Sequence, residues 1–385
     1  MAEEKKFLQG KVTAISFAHF VHDVYSSFLA PLLPLLVEKF SLSLSAAGFL
    51  SVVQRFPSLL NPFVGLLAER LPIRYILIMA PALTATLMSL IGIMPHITLI
   101  ILLLITSGIS GSFFHVPAPI MIKRVSGDRI GKGMSYFMLG GEIARGVGPL
   151  YVLGGISLWG LEGTYRLLPL GLLSSVSLFF MFKNIPIADE LKRKKKKTGA
   201  MNAVKEQLPF FISIGGIILF TSLVKRALTS FLPIYLTHNG SSLWMAGIAL
   251  SVVQFSGAAG NLFTGTLSDK IGRRKTLLLM SGLAPLLLVL FVYTADTVFA
   301  LPLLVVIGLV MFATTPVLLA EVNTINSEYA GLINGIFMTL NFVLGAIAML
   351  LIGIFGDYLG LKTTYLITAA ISFFSLFFVF RLPQE

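Results

Sequence analysis

Ionisable side chains stand inside long apolar stretches of this sequence, and the first stretch holds two histidines and an aspartate. His19, His22 and Asp23 all fall within residues 12–37, which are otherwise mostly apolar. A carboxylate beside imidazole groups can take up and release a proton near neutral pH. We therefore predict that Asp23 and His22 exchange protons. Glu142, in a later apolar stretch, is predicted as a second proton-exchanging group.

Basic side chains also interrupt the apolar stretches. There are four of them against two acids, which leaves a formal excess of two positive charges. A charge at the centre of a membrane helix costs about 2.5–3.5 kcal/mol on insertion scales, so this excess needs compensation. An anion bearing a carboxylate, phosphate or phosphonate group would supply it, clamped by Arg55, Lys225 and Arg226. The residues predicted to bind this ligand are His19, Tyr25, Arg55, His115, Arg145, Lys225 and Arg226.

Packing offers an alternative role for some of these groups. Glu142 and Arg145 stand three residues apart, so they can pair on one helix face without any ligand. His115, two residues before Pro117, can instead serve as a packing or hydrogen-bonding group. We predict no metal site.

A charged loop at residues 265–275 carries a different pattern. Gly272 permits a tight turn between helices. Asp269 stands at a helix end, where Arg273 and Arg274 can neutralise it and release it again. We predict that these residues form a gating latch, whose full set is Gly65, Glu69, Arg74, Gly265, Asp269, Gly272, Arg273, Arg274 and Glu321. The alternative is an ordinary cytoplasmic loop rich in cations.

The elements that must position these groups are membrane helices. The chain has 385 residues, of which 56% are hydrophobic and only 12% charged. A helix needs about 20 apolar residues to cross the hydrocarbon core of a bilayer. Twelve stretches are predicted to do so: 12–38, 45–68, 75–94, 97–122, 134–158, 166–184, 207–237, 242–268, 276–294, 298–321, 330–356 and 363–380.

The net charge of +12 is explained by the orientation of the chain in the membrane and does not indicate a nucleic-acid partner. With the N-terminus inside, three Lys and Arg residues lie in outer loops and four within helices, which leaves 22 of the 29 in cytoplasmic segments. This asymmetry follows the positive-inside rule and predicts that both termini are cytoplasmic. The chain has no cysteine, so disulfides and thiolate metal sites are excluded.

An internal repeat divides the chain into two halves. Residues 50–74 match residues 250–274 at ten positions without a gap, including Gly65 with Gly265 and Arg74 with Arg274. Parallel repeats of this kind place a substrate site near the membrane midplane, with one half rocking against the other. The predicted domains are an N-terminal six-helix bundle at 1–184, a basic cytoplasmic linker at 185–206 and a C-terminal bundle at 207–385.

The loop at 265–274 resembles the motif between the second and third helices of the major facilitator superfamily. In the first-half copy Glu69 replaces the aspartate, and Pro72 stands where glycine is expected. Segments 19–34, 114–117 and 126–129 resemble the fosmidomycin-resistance group of drug exporters. The resemblance implies an all-α integral membrane fold of two pseudo-symmetric six-helix bundles, and it favours export.

These observations predict a secondary active transporter and not an enzyme. The predicted mode is proton-coupled antiport, by alternating access, of a small anionic or amphiphilic compound out of a bacterial or archaeal cell. The proton gradient is the predicted energy source, with no cofactor, and a monomer in the inner membrane is the predicted state. One alternative is proton symport that imports an organic anion. A membrane-embedded enzyme or a sensor is more distant, because the loops are short and no signalling domain is attached.

Overall fold

The computed structural model describes residues 6–61, 64, 73–182, 205–325 and 330–382. Their regular structure is helical throughout. The chain divides into two compact units, one comprising residues 1–35 and 53–194 and the other residues 36–52 and 195–385. The predicted linker at 185–206 lies almost entirely outside the described residues, and the predicted domain boundaries stay predictions.

Among the described residues, eight helices precede the linker and eight follow it. The first eight are α1 (Gln9–Ser26), α2 (Leu29–Phe40), α3 (Leu44–Arg55), α4 (Ile73–Ser89), α5 (Ile97–His115), α6 (Ala118–Val125), α7 (Ile130–Trp159) and α8 (Pro169–Phe182). The next eight are α9 (Leu208–Arg226), α10 (Leu232–His238), α11 (Leu243–Ile271), α12 (Arg273–Thr294), α13 (Ala300–Phe312), α14 (Thr314–Thr324), α15 (Ala330–Ser372) and α16 (Phe374–Phe380).

The described helices account for the twelve predicted membrane spans. In the described part of the chain, nine helical segments are long and apolar enough to cross a bilayer, and Leu44–Leu60 is a shorter apolar one. The last of the nine, Gly335–Phe380, contains two predicted spans divided where Gly360 has a φ of +74°. The remaining predicted span corresponds to α7, a 30-residue helix that carries Glu142 and Arg145. The fold class predicted from the sequence is confirmed.

A break in the helix occurs at the same place in both repeats. α1 ends at Ser26 and α2 begins at Leu29. In the second half a π-helical turn, Ala227–Phe231, separates α9 from α10. Such turns interrupt the regular hydrogen-bond ladder and are frequent at functional positions. The break therefore follows directly after the ionisable residues of each first helix.

Glycines bring α1 and α7 into close contact. A Cβ atom at Gly140 would lie 2.4 Å from the Ser16 carbonyl oxygen, and one at Gly148 would lie 2.6 Å from the Val24 carbonyl oxygen. Both distances are too short for any side chain, so glycine is required where the two backbones meet. This contact places the middle of α7 directly over the face of α1 that carries His19 and Asp23.

Each unit has its own hydrophobic core. The core of the first unit consists of buried side chains from α1 and from α4 through α8, including Val12, Phe114 and Phe182. In the second, buried side chains from α9, α12 and the helices that follow include Ile217 and Phe337. The Tyr365 hydroxyl donates a 2.7 Å hydrogen bond to the carbonyl of Ala227, which ties α15 to the π-helical turn.

Candidate functional site

The most concentrated group of ionisable side chains surrounds Asp23. His19 and Asp23 are four residues apart on α1, so they lie on one face of that helix. The distance from His19 Nε2 to Asp23 Oδ2 is 3.3 Å, and that from His22 Nδ1 to Asp23 Oδ1 is 2.9 Å. All three residues are buried. The carboxylate thus lies in contact with two imidazoles of its own helix.

A third imidazole reaches the same carboxylate from another helix. His115, the last residue of α5, places Nε2 3.2 Å from Asp23 Oδ1. Its side chain is 42% exposed, in contrast to the buried residues on α1. His115 therefore stands on the accessible side of the group formed by His19, His22, Asp23 and His115, which we term the imidazole–carboxylate cluster.

Aromatic rings and a backbone carbonyl hold the imidazoles in place. His19 Nδ1 donates a 2.7 Å hydrogen bond to the carbonyl of Phe137, and the two rings are stacked with centroids 4.0 Å apart. His22 is stacked on Phe114 at 4.7 Å. Because a carbonyl only accepts hydrogen bonds, the Nδ1 of His19 must carry a proton. In the neutral ring, Nε2 of His19 then presents a lone pair to Asp23.

Two arginines lie close to this cluster in the same unit. Arg55, at the end of α3, is exposed and interacts electrostatically with Asp23 and Arg145. Arg145 forms an ion pair with Glu142 on the same face of α7, so the internal pairing considered from the sequence is present. Arg55 has no ion pair within the described part of the chain. The first unit thus has, beside the cluster, a cationic side chain without an ion pair among the described residues.

Tyr25, predicted to contact substrate, is completely buried. Its hydroxyl donates to the carbonyl of Leu167 and accepts a 3.3 Å hydrogen bond from the backbone N–H of Gly171. These bonds tie the end of α1 to the start of α8. Its predicted contact with substrate stays a prediction.

The predicted cations of the second unit lie at the end of α9. Lys225 Nζ is 3.3 Å from the Thr315 hydroxyl and 4.4 Å from the centre of the Phe312 ring. The Arg226 guanidinium packs against Gly345, where an added Cβ atom would lie 2.7 Å from its terminal nitrogen. Both side chains are half-buried at the point where the helix changes to a π-helical turn.

The predicted latch of the second half is a turn between α11 and α12. Gly272 has a φ of +89°, the conformation that glycine adopts without strain. Arg273 lies 4.0 Å from Glu321, the partner suggested by the sequence, whereas Arg274 donates a 2.9 Å hydrogen bond to the carbonyl of Phe380. Asp269 is exposed in the last turn of α11, and no ion pair of its carboxylate is found among the described residues.

The other predicted latch residues are less well defined. Gly265 lies within α11 with open space at its Cα. In the first half, Gly65 and Glu69 lie outside the described residues, and Arg74 is in the first turn of α4.

The groups that orient the cluster were not predicted from the sequence. The Phe137 carbonyl is a backbone atom, and no role was predicted for Gly141. A Cβ atom at Gly141 would lie 2.7 Å from His19 Nε2 and 3.2 Å from Asp23 Oδ2. The glycine itself was the only feature of the sequence that could have indicated this contact. Its role can be recognised only when it is known that α7 packs against α1.

Comparisons with known proteins agree with this architecture. The Major Facilitator Superfamily family model matches residues 15–349. The fosmidomycin resistance protein of Escherichia coli (strain K12) is 25% identical over 381 residues, covering 98% of this chain and 93% of that protein. The multidrug resistance protein MdtG of Proteus mirabilis (strain HI4320) is 24% identical, covering 96% of this chain and 95% of that protein.

Solved structures show the same fold at low sequence identity. A point-mutant form of the nucleoside transporter NupG superposes with a TM-score of 0.81 at 16% identity, covering 98% of this chain and all of that one. A bacterial homologue of the lysosomal transporter Spinster also gives 0.81, at 15% identity and with 98% and 97% of the two chains covered. The chain therefore belongs to the Major Facilitator Superfamily and is a multi-pass membrane transporter, not an enzyme.

Proposed function

We propose that the protein exports a small anionic or amphiphilic compound by proton-coupled antiport with alternating access. The observation that carries this proposal is the accessible Arg55 beside Arg145 and the imidazole–carboxylate cluster. The names of two relatives, a fosmidomycin resistance protein and a multidrug resistance protein, support export as the direction.

An anionic cargo follows from the charges of the first unit. Glu142 offsets Arg145, and the imidazoles surround Asp23, so Arg55 has no carboxylate of its own within the described residues. A cation inside the membrane is costly unless it is paired. A carboxylate, phosphate or phosphonate on the cargo would pair with Arg55, and Lys225 and Arg226 stay predicted cargo ligands.

Proton exchange is proposed at two carboxylates. Asp23 is surrounded by imidazoles that can pass a proton to His115, the accessible member of the cluster. Glu142 is the second group, a carboxylate on α7 whose ion pair with Arg145 ends when the carboxylate is protonated. Antiport results if proton and cargo exclude each other from this region. The proton gradient is then the energy source, and no cofactor is required.

Import by proton symport is a second candidate, and the Glu142–Arg145 pair favours it. An anion that takes Arg145 deprives Glu142 of its counter-charge, and an unpaired carboxylate in apolar surroundings favours the protonated form. Anion and proton would then bind together, as a symporter requires.

The remaining proposals concern the setting of the carrier. We place the protein in the inner membrane of a prokaryotic cell as a monomer, with both termini in the cytoplasm. Its partners are then the cargo, protons and the lipid bilayer, without nucleic acid. The turn at Gly272, with Arg273 facing Glu321, would act as the latch that stabilises one state of the cycle.

Uptake into everted vesicles tests the proposal. The cargo panel contains anionic drugs and phosphorylated metabolites, with and without an imposed pH gradient. An antiporter accumulates cargo when the vesicle lumen is acidic, whereas a symporter accumulates it when the outer medium is acidic. No protein-dependent uptake of any anion under either gradient would contradict the anionic assignment.

Variants locate the cargo and proton sites. We expect Arg55→Gln to lower anion uptake at least tenfold, whereas Lys275→Gln, an exposed cation on α12, leaves it unchanged. Asp23→Asn and Glu142→Gln should abolish the response to the pH gradient while counterflow persists. Full anion transport after separate neutralisation of Lys225 and Arg226 would remove those two residues from the site.

A further inference from the structure

The imidazole–carboxylate cluster has the donor set of a transition-metal site. His19, Asp23 and His115 each offer one ligand atom, and these atoms all lie within 4.8 Å of one another. Two imidazole nitrogens and one carboxylate oxygen are a common ligand set for zinc and for other divalent first-row metals. We propose that these three residues bind a divalent transition-metal ion.

Distances within the cluster distinguish a metal site from a simple hydrogen-bonded network. Charge-assisted hydrogen bonds to a carboxylate are about 2.7–2.9 Å long, and the contact of His22 with Asp23, at 2.9 Å, falls in this range. The contacts of His19 and His115 with Asp23 are longer, at 3.3 and 3.2 Å. Ligands about 2.0–2.1 Å from a tetrahedral zinc ion stand about 3.3–3.4 Å apart. Each imidazole nitrogen thus stands at about this distance from one oxygen of the carboxylate, His19 from Oδ2 and His115 from Oδ1, and one ligand atom from each of the three residues lies within 4.8 Å of the others.

The direction of the His19 ring supports the same conclusion. A metal-binding histidine typically donates its other N–H to a backbone carbonyl or a carboxylate. His19 does so through Nδ1 to the Phe137 carbonyl at 2.7 Å, so that the lone pair of Nε2 points toward Asp23. In the neutral ring this lone pair and the carboxylate oxygen are two acceptors that a metal ion can join. In the imidazolium form Nε2–H donates to Asp23 instead, so a proton and a metal ion compete for the same atom.

The surroundings set the kind of ion. Arg55 and Arg145 lie near the cluster and oppose a positive charge, although Glu142 compensates Arg145. One carboxylate is too little negative charge for Mg²⁺ or Ca²⁺, which prefer oxygen donors. Two imidazoles favour Zn²⁺, Co²⁺, Ni²⁺ or Cu²⁺. With three protein donors, a coordination position is left for water, and the exposed His115 gives a route of entry.

Titration of the purified protein with Zn²⁺ tests the site. The protein is prepared in detergent without a polyhistidine tag, and binding is measured by calorimetry. We expect one saturable Zn²⁺ site per chain and no saturable binding of Mg²⁺. Co²⁺ should give the visible absorption of a nitrogen- and oxygen-ligated ion, because the chain has no thiolate.

Variants of four of the five histidines assign the ligands. His115→Ala changes an accessible side chain, so the fold should persist, and we expect it to weaken Zn²⁺ binding at least tenfold. His19→Gln should do the same. The matched controls are His96→Ala and His238→Ala, two exposed histidines outside the cluster, which should bind Zn²⁺ as the unchanged protein does. Absence of saturable binding, or loss of it in the control variants alone, would overturn the proposal.

Binding is measured here without cargo or a proton gradient, so the result does not depend on the proposed function. A protein that binds zinc but moves no anion would retain the metal site and lose the transport proposal. A protein that moves anions but binds no zinc would retain the transport proposal and lose the metal site.

Discussion

Replacing Gly141 with alanine would place a methyl group against the paired side chains of His19 and Asp23. The added Cβ atom would lie 2.5 Å from His19 Cε1 and 2.7 Å from His19 Nε2. Ordinary contacts between non-bonded carbon atoms are about 3.5–4.0 Å, so the ring must withdraw by about 1 Å. The stacked Phe137 ring, with its centroid only 4.0 Å away, leaves little room for this movement.

The expected cost has two parts. Overpacking in a well-packed interior costs about 1–3 kcal/mol. A shift of about 1 Å also takes the His19 hydrogen bond to the Phe137 carbonyl from 2.7 Å beyond bonding distance, and a hydrogen bond is worth about 0.5–1.5 kcal/mol. We therefore expect Gly141→Ala to lower the free energy of unfolding by about 1.5–4.5 kcal/mol relative to Gly154→Ala, and to reduce transport.

Gly154→Ala is the matched control, because it lies on the same helix and an added Cβ atom there meets nothing within 4 Å. Both changes gain the same helix propensity, at most about 1 kcal/mol, so their difference isolates the clash. Unfolding in mixed detergent micelles gives the stability, and counterflow in proteoliposomes gives the activity. In a His19→Ala background the clash disappears, and Gly141→Ala should then cost little. Equal stability and activity of Gly141→Ala and Gly154→Ala would refute the reasoning.

Three further changes probe the scaffold. Asp357 accepts a hydrogen bond from the Leu44 N–H at the start of α3, so Asp357→Ala should lower the unfolding free energy by about 0.5–2 kcal/mol, measured against the smaller effect of Asp357→Asn. Gly272→Ala forces a φ of +89° on alanine and should cost about 1–2 kcal/mol, with Gly272→Asn tolerated better; equal stability of both would contradict a strained turn. Tyr365→Phe leaves the buried Ala227 carbonyl without its partner and should cost about 1–3 kcal/mol in the same unfolding assay, and no change would mean that another donor replaces it.

Much of the fold was determined by local composition. Apolar length alone located the membrane helices, because a bilayer demands about 20 apolar residues of every span. The repeat at an offset of 200 residues predicted equivalent helices, and both first helices indeed end in a break, after Ser26 and after Arg226. Gly272 was predicted to make a turn, and its φ of +89° confirms that conformation.

Part of the site was also visible in the sequence. His19 and Asp23 are four residues apart, and helical periodicity puts them on one face without further information. Glu142 and Arg145 followed from the same rule, and their ion pair is present. Their neighbours on other helices were selected only as isolated ionisable residues in apolar stretches.

Tertiary structure alone decided how those isolated residues meet. His115 is 92 positions from Asp23, and only the packing of α5 against α1 brings their side-chain atoms to 3.2 Å. The Phe137 carbonyl that orients His19, and the space left by Gly141, depend on the close approach of α7. Period and hydropathy describe one helix at a time. Neither property gives the register between two packed helices, because that register depends on the shapes of many side chains from both helices.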